Sequence, residues 1–410
     1  MPRKHSHSSD LRGLSRLIVD AILGATDLAE QVNLSVLNSA TKFAAPIQAP
    51  LTNATATVYR QVRQLTHLAG TGIDGLLGWL TPSLIKNRGW RGREPVVAVL
   101  NGVLGDYLHN TENPLAIEME LRCRGLTLPD NQPEMKELLP NPGGRLVLLV
   151  HGLCMSDQLW QRNSHDHGAA LERDSGYTPV YLRYNSGLHI STNGRQLSDQ
   201  LEALLLNWPV AIEQVNLLCH SMGGMVVRSA LYYADKNDHN WPSLVAKIVF
   251  LGTPHHGAPL ERGGHWFHLL LGSSGFLAPF SSLGRIRSAG ITDLRHGNLL
   301  DQDWNGVDRF THSADIRNPV PLPDSIECYA LAATIGKRES DVTDRLLGDG
   351  LVPINSALGI HQNPHFNLAF KPENQVILRG MNHLDLLNSA KVYQQIQTWM
   401  ASPEASCNIS

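Results

Sequence analysis

Val215-Asn-Leu-Leu-Cys219-His220-Ser221-Met222-Gly223-Gly224 decides the fold. The first five residues form a short, largely apolar run of the kind that fills a buried strand, and residues 223–235 have helical apolar spacing. Strand and helix are joined by almost nothing. A turn this tight forces its apex residue into strained backbone geometry and pushes that side chain out at the carboxyl edge of a sheet. Small neighbours are needed, because the two backbones approach closely. Ser221 is the apex. Its hydroxyl stands at the start of a helix, where backbone N–H groups favour developing negative charge.

Working outward, the same pattern repeats. Apolar runs at 145–150, 179–184, 247–251, 328–332 and 375–379 alternate with helix-length segments at 195–208 and 389–400. Buried strands alternating with helices predict an α/β fold, with a mostly parallel sheet covered on both faces. Residues 117–124 alternate apolar with charged and predict a half-buried strand at a sheet edge. Between the strands at 247–251 and 328–332 the chain runs on far longer than a crossover needs. An insertion of about 255–326, with an apolar run at 266–280, is expected to form a lid or cap over the site.

Upstream, two amphipathic stretches (11–36 and 58–80) flank an Ala/Pro/Thr-rich connection, and another helix begins near Pro95. The predicted organisation is an N-terminal helical region, 1–112, followed by an α/β domain, 113–410. Residues 1–93 carry eleven Lys/Arg and five acids, although the whole chain has a net charge of −3. Two readings stand side by side: a helical pair packed on the main domain, or an element for self-association or for peripheral membrane contact through residues 1–90. The overall balance gives no basic field for nucleic acid.

Hydrophobic residues at 42% and charged ones at 17% exclude disorder over most of the length. Five cysteines, spread singly, argue against a disulfide framework and a structural zinc site. They predict a reducing, cytoplasmic setting. The polar, His-rich opening and the interrupted stretch 14–23 predict no leader, and the broken run 266–284 predicts no spanning helix. Nineteen histidines make any single one uninformative. His165, His167, His255, His256, His265 and His268 are expected on the surface or packed under the lid, without a metal, since none shows H-E-x-x-H spacing.

The strand–Ser221–helix phrase resembles the nucleophile turn of the α/β-hydrolase superfamily, G-x-S-x-G, with Cys219 standing where the first glycine is usual. By that resemblance, Val150-His151-Gly152-Leu153 opens the loop whose backbone completes an oxyanion hole, formed by the N–H groups of Leu153 and Met222. The superfamily order of Ser, Asp and His then implies Asp349, in Gly348-Asp349-Gly350-Leu351-Val352-Pro353, and His383, in Asn382-His383-Leu384-Asp385. Each follows a predicted strand, so both reach the same sheet edge as Ser221. His383 is the implied base and Asp349 its partner. Asp341 and Asp344 are rivals in the same loop; Asp349 is preferred because flanking glycines fit a tight, exposed turn and because the phrase resembles lipase acid loops.

With Leu251-Gly-Thr-Pro-His-His-Gly-Ala-Pro259, these phrases resemble bacterial lipase-type hydrolases grouped with GPI inositol-deacylase-like proteins. The resemblance covers roughly residues 140–400. It implies a cofactor-free serine esterase or lipase acting on a small-molecule or lipid acyl ester through an acyl-enzyme. Acyl transfer, thioester or amide cleavage by the same residues is the alternative, and a non-catalytic membrane- or partner-binding scaffold the lesser one. Cys154 and Cys219 are expected near the floor of the site. They are either small buried hydrophobes or thiols whose modification would displace the oxyanion loop.

Overall fold

The computed structural model of the chain describes Arg12, Gly13, Arg16 and residues 93–258, 288–306, 317–337 and 348–401. Their strands form one eight-stranded sheet, ordered β2-β1-β4-β3-β5-β6-β7-β8. The strands are β1 (Glu120–Cys123), β2 (Leu126–Thr127), β3 (Arg145–Val150), β4 (Thr178–Arg183), β5 (Gln214–His220), β6 (Val245–Leu251), β7 (Glu327–Thr334) and β8 (Gln375–Arg379). From β4 across to β8 every pairing is parallel. The apolar runs of the sequence are these strands, because a strand covered on both faces has no polar face to alternate with. The described residues thus form a mostly parallel α/β sheet, as the alternation of apolar runs and helices predicts.

One strand departs from expectation. The segment 117–124 contributes only Glu120–Cys123, and β1 lies one place in from the edge. Arg124 and Gly125, with φ of 49° and 78°, turn the chain back so that β2 becomes the edge. Two consecutive left-handed residues make the tight hairpin whose twist matches its strands.

The longer helices around this sheet are α1 (Arg93–Asn110), α2 (Gln132–Leu138), α3 (His167–Ser175), α4 (Ile190–Asn207), α5 (Met222–Lys236), α6 (Ala289–His296) and α7 (Ala390–Ala401). Val147, Leu149 and Leu218 of the central strands pack with Trp160, Leu171 of α3, and Ile396 and Trp399 of α7. Lys247 is buried in β6, yet its Nζ donates to the carbonyls of Trp399 and Met400 at the end of α7. A cation there satisfies carbonyls that the last helical turn leaves open.

The chain divides into two compact units. One comprises Glu94–Tyr107 with Ile117–Ser410; the other comprises Met1–Arg93 with Leu108–Ala116. The first holds the sheet together with most of α1, so part of the sequence assigned to the N-terminal region belongs with the α/β body. The reason lies in close approach. A side chain at Gly102 would strike Cys154, and one at Gly105 would strike Asn185, so α1 lies directly against the loops that follow β3 and β4. In the second unit, the Asn113 side chain donates to the Gly13 carbonyl at 3.0 Å and accepts from the Leu115 amide.

The described part of the long insertion also packs on this body. Ser288 Oγ donates to the Gly102 carbonyl and caps α6 by accepting from Ile291. From α6, the buried Asp293 carboxylate accepts from the amide of Ile190 at the start of α4. The apolar centre of the expected lid, nearly all of the expected N-terminal helices and the membrane-contact segment 1–90 lie outside the described residues. Among those described, no helix is long and apolar enough to cross a membrane.

Candidate active site

Ser221 sits between the end of β5 and the first residue of α5, with φ 54° and ψ −128°. A non-glycine residue held there is strained, at a cost of roughly 1–3 kcal/mol that the surrounding structure must offset. The constraint is visible. The Ser221 amide donates to the carbonyl of Leu251 at 2.9 Å, and Gly224 N donates back to the Ser221 carbonyl. A Cβ on Gly223 would lie 2.3 Å from the Val150 carbonyl oxygen, and one on Gly224 would strike Thr253. Glycine at both positions therefore lets α5 start tight against β3 and the turn after β6. At the place where the superfamily carries a glycine, Cys219 is fully buried and paired in register with Val150 of β3 and Phe250 of β6. A thiol fits the sheet interior there.

The turn after β3 touches the same point. A Cβ on Gly152 would lie 2.8 Å from the Ser221 Cβ. Leu153 follows it, buried, and Met222 is the first residue of α5. Cys154, at φ 59°, bends the chain away and donates its amide to Ser186 Oγ at 3.0 Å. His151 stacks on Tyr184 with ring centres 4.3 Å apart, and the Tyr184 hydroxyl donates to the His151 carbonyl. Burial pulls the His151 imidazole down to a pKa of about 3, so it is neutral and structural.

His383 and Asp349 are brought together. His383 Nδ1 lies 2.6 Å from Asp349 Oδ2, and the His383 amide donates to the Asp349 carbonyl at 3.1 Å. The other carboxylate oxygen accepts from the amides of Leu351 and Val352, which fixes its plane. Donation from Nδ1 puts the imidazole proton there and leaves Nε2 as the basic atom. Gly348 and Gly350, at φ 51° and 95°, make the turn the sequence suggested. The turn is not exposed, however: Ser221, Asp349 and His383 are each 1% exposed. The rivals Asp341 and Asp344 lie outside the described residues. Gly252 joins the two halves of the site, since a Cβ there would lie 3.2 Å from both Asp349 Oδ2 and His383 Cε1. Ser221 Oγ has no hydrogen-bond partner among the described residues.

Sequence reasoning missed His220. Its Nε2 donates to the His383 carbonyl at 3.1 Å, and the two rings lie 4.6 Å apart. Burial, and next the neighbouring His383, hold His220 well below the usual imidazole range. The only signal available was its place beside Ser221. His167 supports the same loop, donating from Nε2 to the Leu386 carbonyl and accepting from His165. The expectation of surface or lid-packed histidines fails for His167 and His255, which are core residues. Each sits where its ring fills apolar space while a nitrogen reaches a polar group. His265 and His268 lie outside the described residues. Among the described residues no group of three or more His, Cys, Asp and Glu is placed to hold a metal ion.

Residues 141–319 match the family model described as a PGAP1-like alpha/beta domain. Over 114 residues the chain is 31% identical to the triacylglycerol lipases of Pseudarthrobacter phenanthrenivorans and Burkholderia plantarii. That is 27% of this chain and 34% and 30% of theirs, so the chain spans about a third of the length of the curated relatives it matches. Among solved structures it is similar to the mature lipase of Bacillus licheniformis, with 19% identity, a TM-score of 0.39 and coverage of 63% of this chain and 93% of that one. The Staphylococcus hyicus lipase gives 16% identity, a TM-score of 0.35 and coverage of 63% and 96%.

Proposed function

We propose that the chain is a serine carboxylic-ester hydrolase of the α/β-hydrolase type that acts through an acyl-enzyme on Ser221. The observation that carries this reading is the strained Ser221 turn beside the paired His383 and Asp349. His383 Nε2 takes the serine proton as Oγ attacks the ester carbonyl, and Asp349 stabilises the imidazolium that forms. The amides of Leu153 and Met222 receive the tetrahedral oxygen, a role supported by the contact between the Gly152 turn and Ser221. His383 then protonates the departing alcohol, and water, activated in the same way, releases the acid.

Acyl esters with an apolar chain are the proposed substrates, on the matched segment of the two triacylglycerol lipases. A cytoplasmic setting is part of the proposal, supported by four buried free cysteines among the described residues. So is peripheral membrane contact through residues 1–90, supported by their basic charge.

The test is covalent. A fluorophosphonate probe should label Ser221, identified by peptide mapping, and Ser221→Ala should lose both the label and nitrophenyl-ester hydrolysis while keeping its circular dichroism. A folded Ser221→Ala protein with normal turnover overturns the proposal.

A further inference from the structure

The loop after β3 is held in place by a residue from the loop after β4. Cys154 follows Leu153 directly and has φ 59°, a left-handed conformation that a non-glycine residue keeps only where its surroundings fix it. Its amide donates to Ser186 Oγ at 3.0 Å, across 32 positions of sequence. Both residues are buried, Ser186 at 1% exposure. On its other side Leu153 is joined to Gly152, where a Cβ would lie 2.8 Å from the Ser221 Cβ. The peptide carrying the Leu153 N–H thus lies between two fixed points, Gly152 against Ser221 and Cys154 on Ser186.

Ser186 itself stands in a loop with little room to yield, wedged between α1 and the start of α6. A Cβ on Gly187 would strike the Asn101 carbonyl oxygen of α1, and one on Gly290 of α6 would strike the Ser186 carbonyl oxygen. Backbone meets backbone at both contacts, so no rotamer change relieves them. Hydrogen bonds close the same junction. The Gly187 amide donates to Asn185 Oδ1 at 3.0 Å, Asn185 Nδ2 to the Gly105 carbonyl at 2.9 Å, and the Gly290 amide to the Gly187 carbonyl at 3.0 Å. Ser288 Oγ, at the cap of α6, donates to the Gly102 carbonyl at 2.6 Å, and a Cβ on Gly102 would strike Cys154 Sγ. α1, the loop after β4 and α6 therefore form one junction, and from it the Ser186 hydroxyl reaches Cys154.

From this junction we propose that Ser186 is a positioning residue for ester cleavage: by accepting the Cys154 amide it keeps the Leu153 N–H aimed at the oxygen of the tetrahedral intermediate. The proposal rests on the hydrolase reading of Ser221 and deepens it. A donor that serves an oxygen only as charge develops has to be aimed beforehand, since reorganisation during the reaction would consume the stabilisation it gives. A backbone N–H has no rotamer of its own; its direction follows the peptides on either side. With no acceptor at position 186, the buried Cys154 amide is left unsatisfied, and the left-handed residue loses part of what offsets its strain. The Leu153 N–H meets full charge only in the tetrahedral intermediate, so the loss falls on kcat and spares KM.

Paired substrates test this on the full chain: a nitrophenyl ester and its thionoester, in which sulfur replaces the carbonyl oxygen. Sulfur accepts hydrogen bonds poorly and stands farther from carbon, so the thionoester draws little from an oxyanion hole. Ser186→Ala should lower kcat on the oxygen ester about ten- to a hundredfold, with KM within about twofold, and kcat on the thionoester by under about threefold. The ratio of the two rates cancels any loss of folded protein. Ser186→Cys keeps the volume but is a poor acceptor, so it should behave alike and decides the matter if the alanine variant does not fold. Ser186→Thr, which retains the hydroxyl, should return the ratio to the parental value. A parental ratio in the alanine or cysteine variant, or a ratio that Ser186→Thr leaves at the alanine value, overturns the proposal. A parent chain that hydrolyses neither ester and takes no fluorophosphonate label at Ser221 overturns the hydrolase reading and this one with it. A labelled, active parent whose ratio Ser186→Ala leaves unchanged overturns this one alone.

Discussion

Asp349 has both carboxylate oxygens engaged, one by two backbone amides and the other by His383. An amide at this position would present an N–H where an acceptor is required, and His383 would turn to the wrong tautomer. Asp349→Asn is therefore expected to lower kcat by about 10⁴-fold with little change in fold, as loss of a triad carboxylate does in serine proteases. A loss under tenfold, measured on a nitrophenyl ester, would remove Asp349 from the mechanism. His220 acts one step further away, as a positioning residue that holds the His383 backbone. His220→Phe keeps a ring and loses the hydrogen bond; kcat should fall about ten- to a hundredfold while KM stays put. Rescue by His220→Gln, whose amide can still donate, would separate this from a packing effect. Cys154 and Cys219 behave as buried hydrophobes: burial pushes the Cys154 thiol up to about 12 and the Cys219 thiol well above its ordinary value. Thiolates do the reacting. Small thiol reagents at pH 8 should leave the proposed ester hydrolysis intact and both positions unlabelled, and rapid labelling at either would contradict this burial.

At the scale of elements, the site depends on the start of α5 lying against the end of β3. Gly223 is where they meet, since a side chain there would enter the space of the Val150 and His151 carbonyls. Backbone cannot yield as a flexible side chain can. Gly223→Ala should cost about 1–3 kcal/mol of stability, typical of overpacking, and should lose most of its activity even where it remains folded. Gly176 offers the control, with φ 69° but nothing within 4 Å of an added Cβ. Gly176→Ala should lose about 1 kcal/mol from the backbone alone and keep full turnover per folded molecule. Equal activity loss in both variants, by active-site titration, would remove the special role of the helix start.

For the whole α/β body, the notable charge feature is its number of neutral, buried imidazoles. Burial brings His151 to about 3 and His167 to about 4, and holds His220 and His255 well below the usual range. In the unfolded chain each titrates near 6.5. Between about pH 6.5 and 4 the unfolded state therefore binds more protons, so stability rises with pH and is lost as pH falls through this window. Each such histidine steepens the slope by up to about 1.4 kcal/mol per pH unit. Urea midpoints should drop sharply from pH 7 to pH 5, and a flat profile would mean these rings are accessible in the folded state.

The sequence by itself determined the parallel core and the Ser221 turn. Strands buried on both faces must be apolar runs, and a strand joined to a helix without a spacer can be read from adjacent residues. It also carried the candidate residues Asp349 and His383 through a resemblance of short phrases. Only the tertiary structure decided which groups meet. The link from His220 to His383 spans 163 positions, and that from Lys247 to the Trp399 carbonyl spans 152. Neither leaves a periodic or local trace. The attachment of α1 to the sheet's unit was equally hidden, because Gly102 and Gly105 read as helix-weakening glycines until Cys154 and Asn185 lie against them. Local chemistry is written along the chain; long-range contact is written only in the packing.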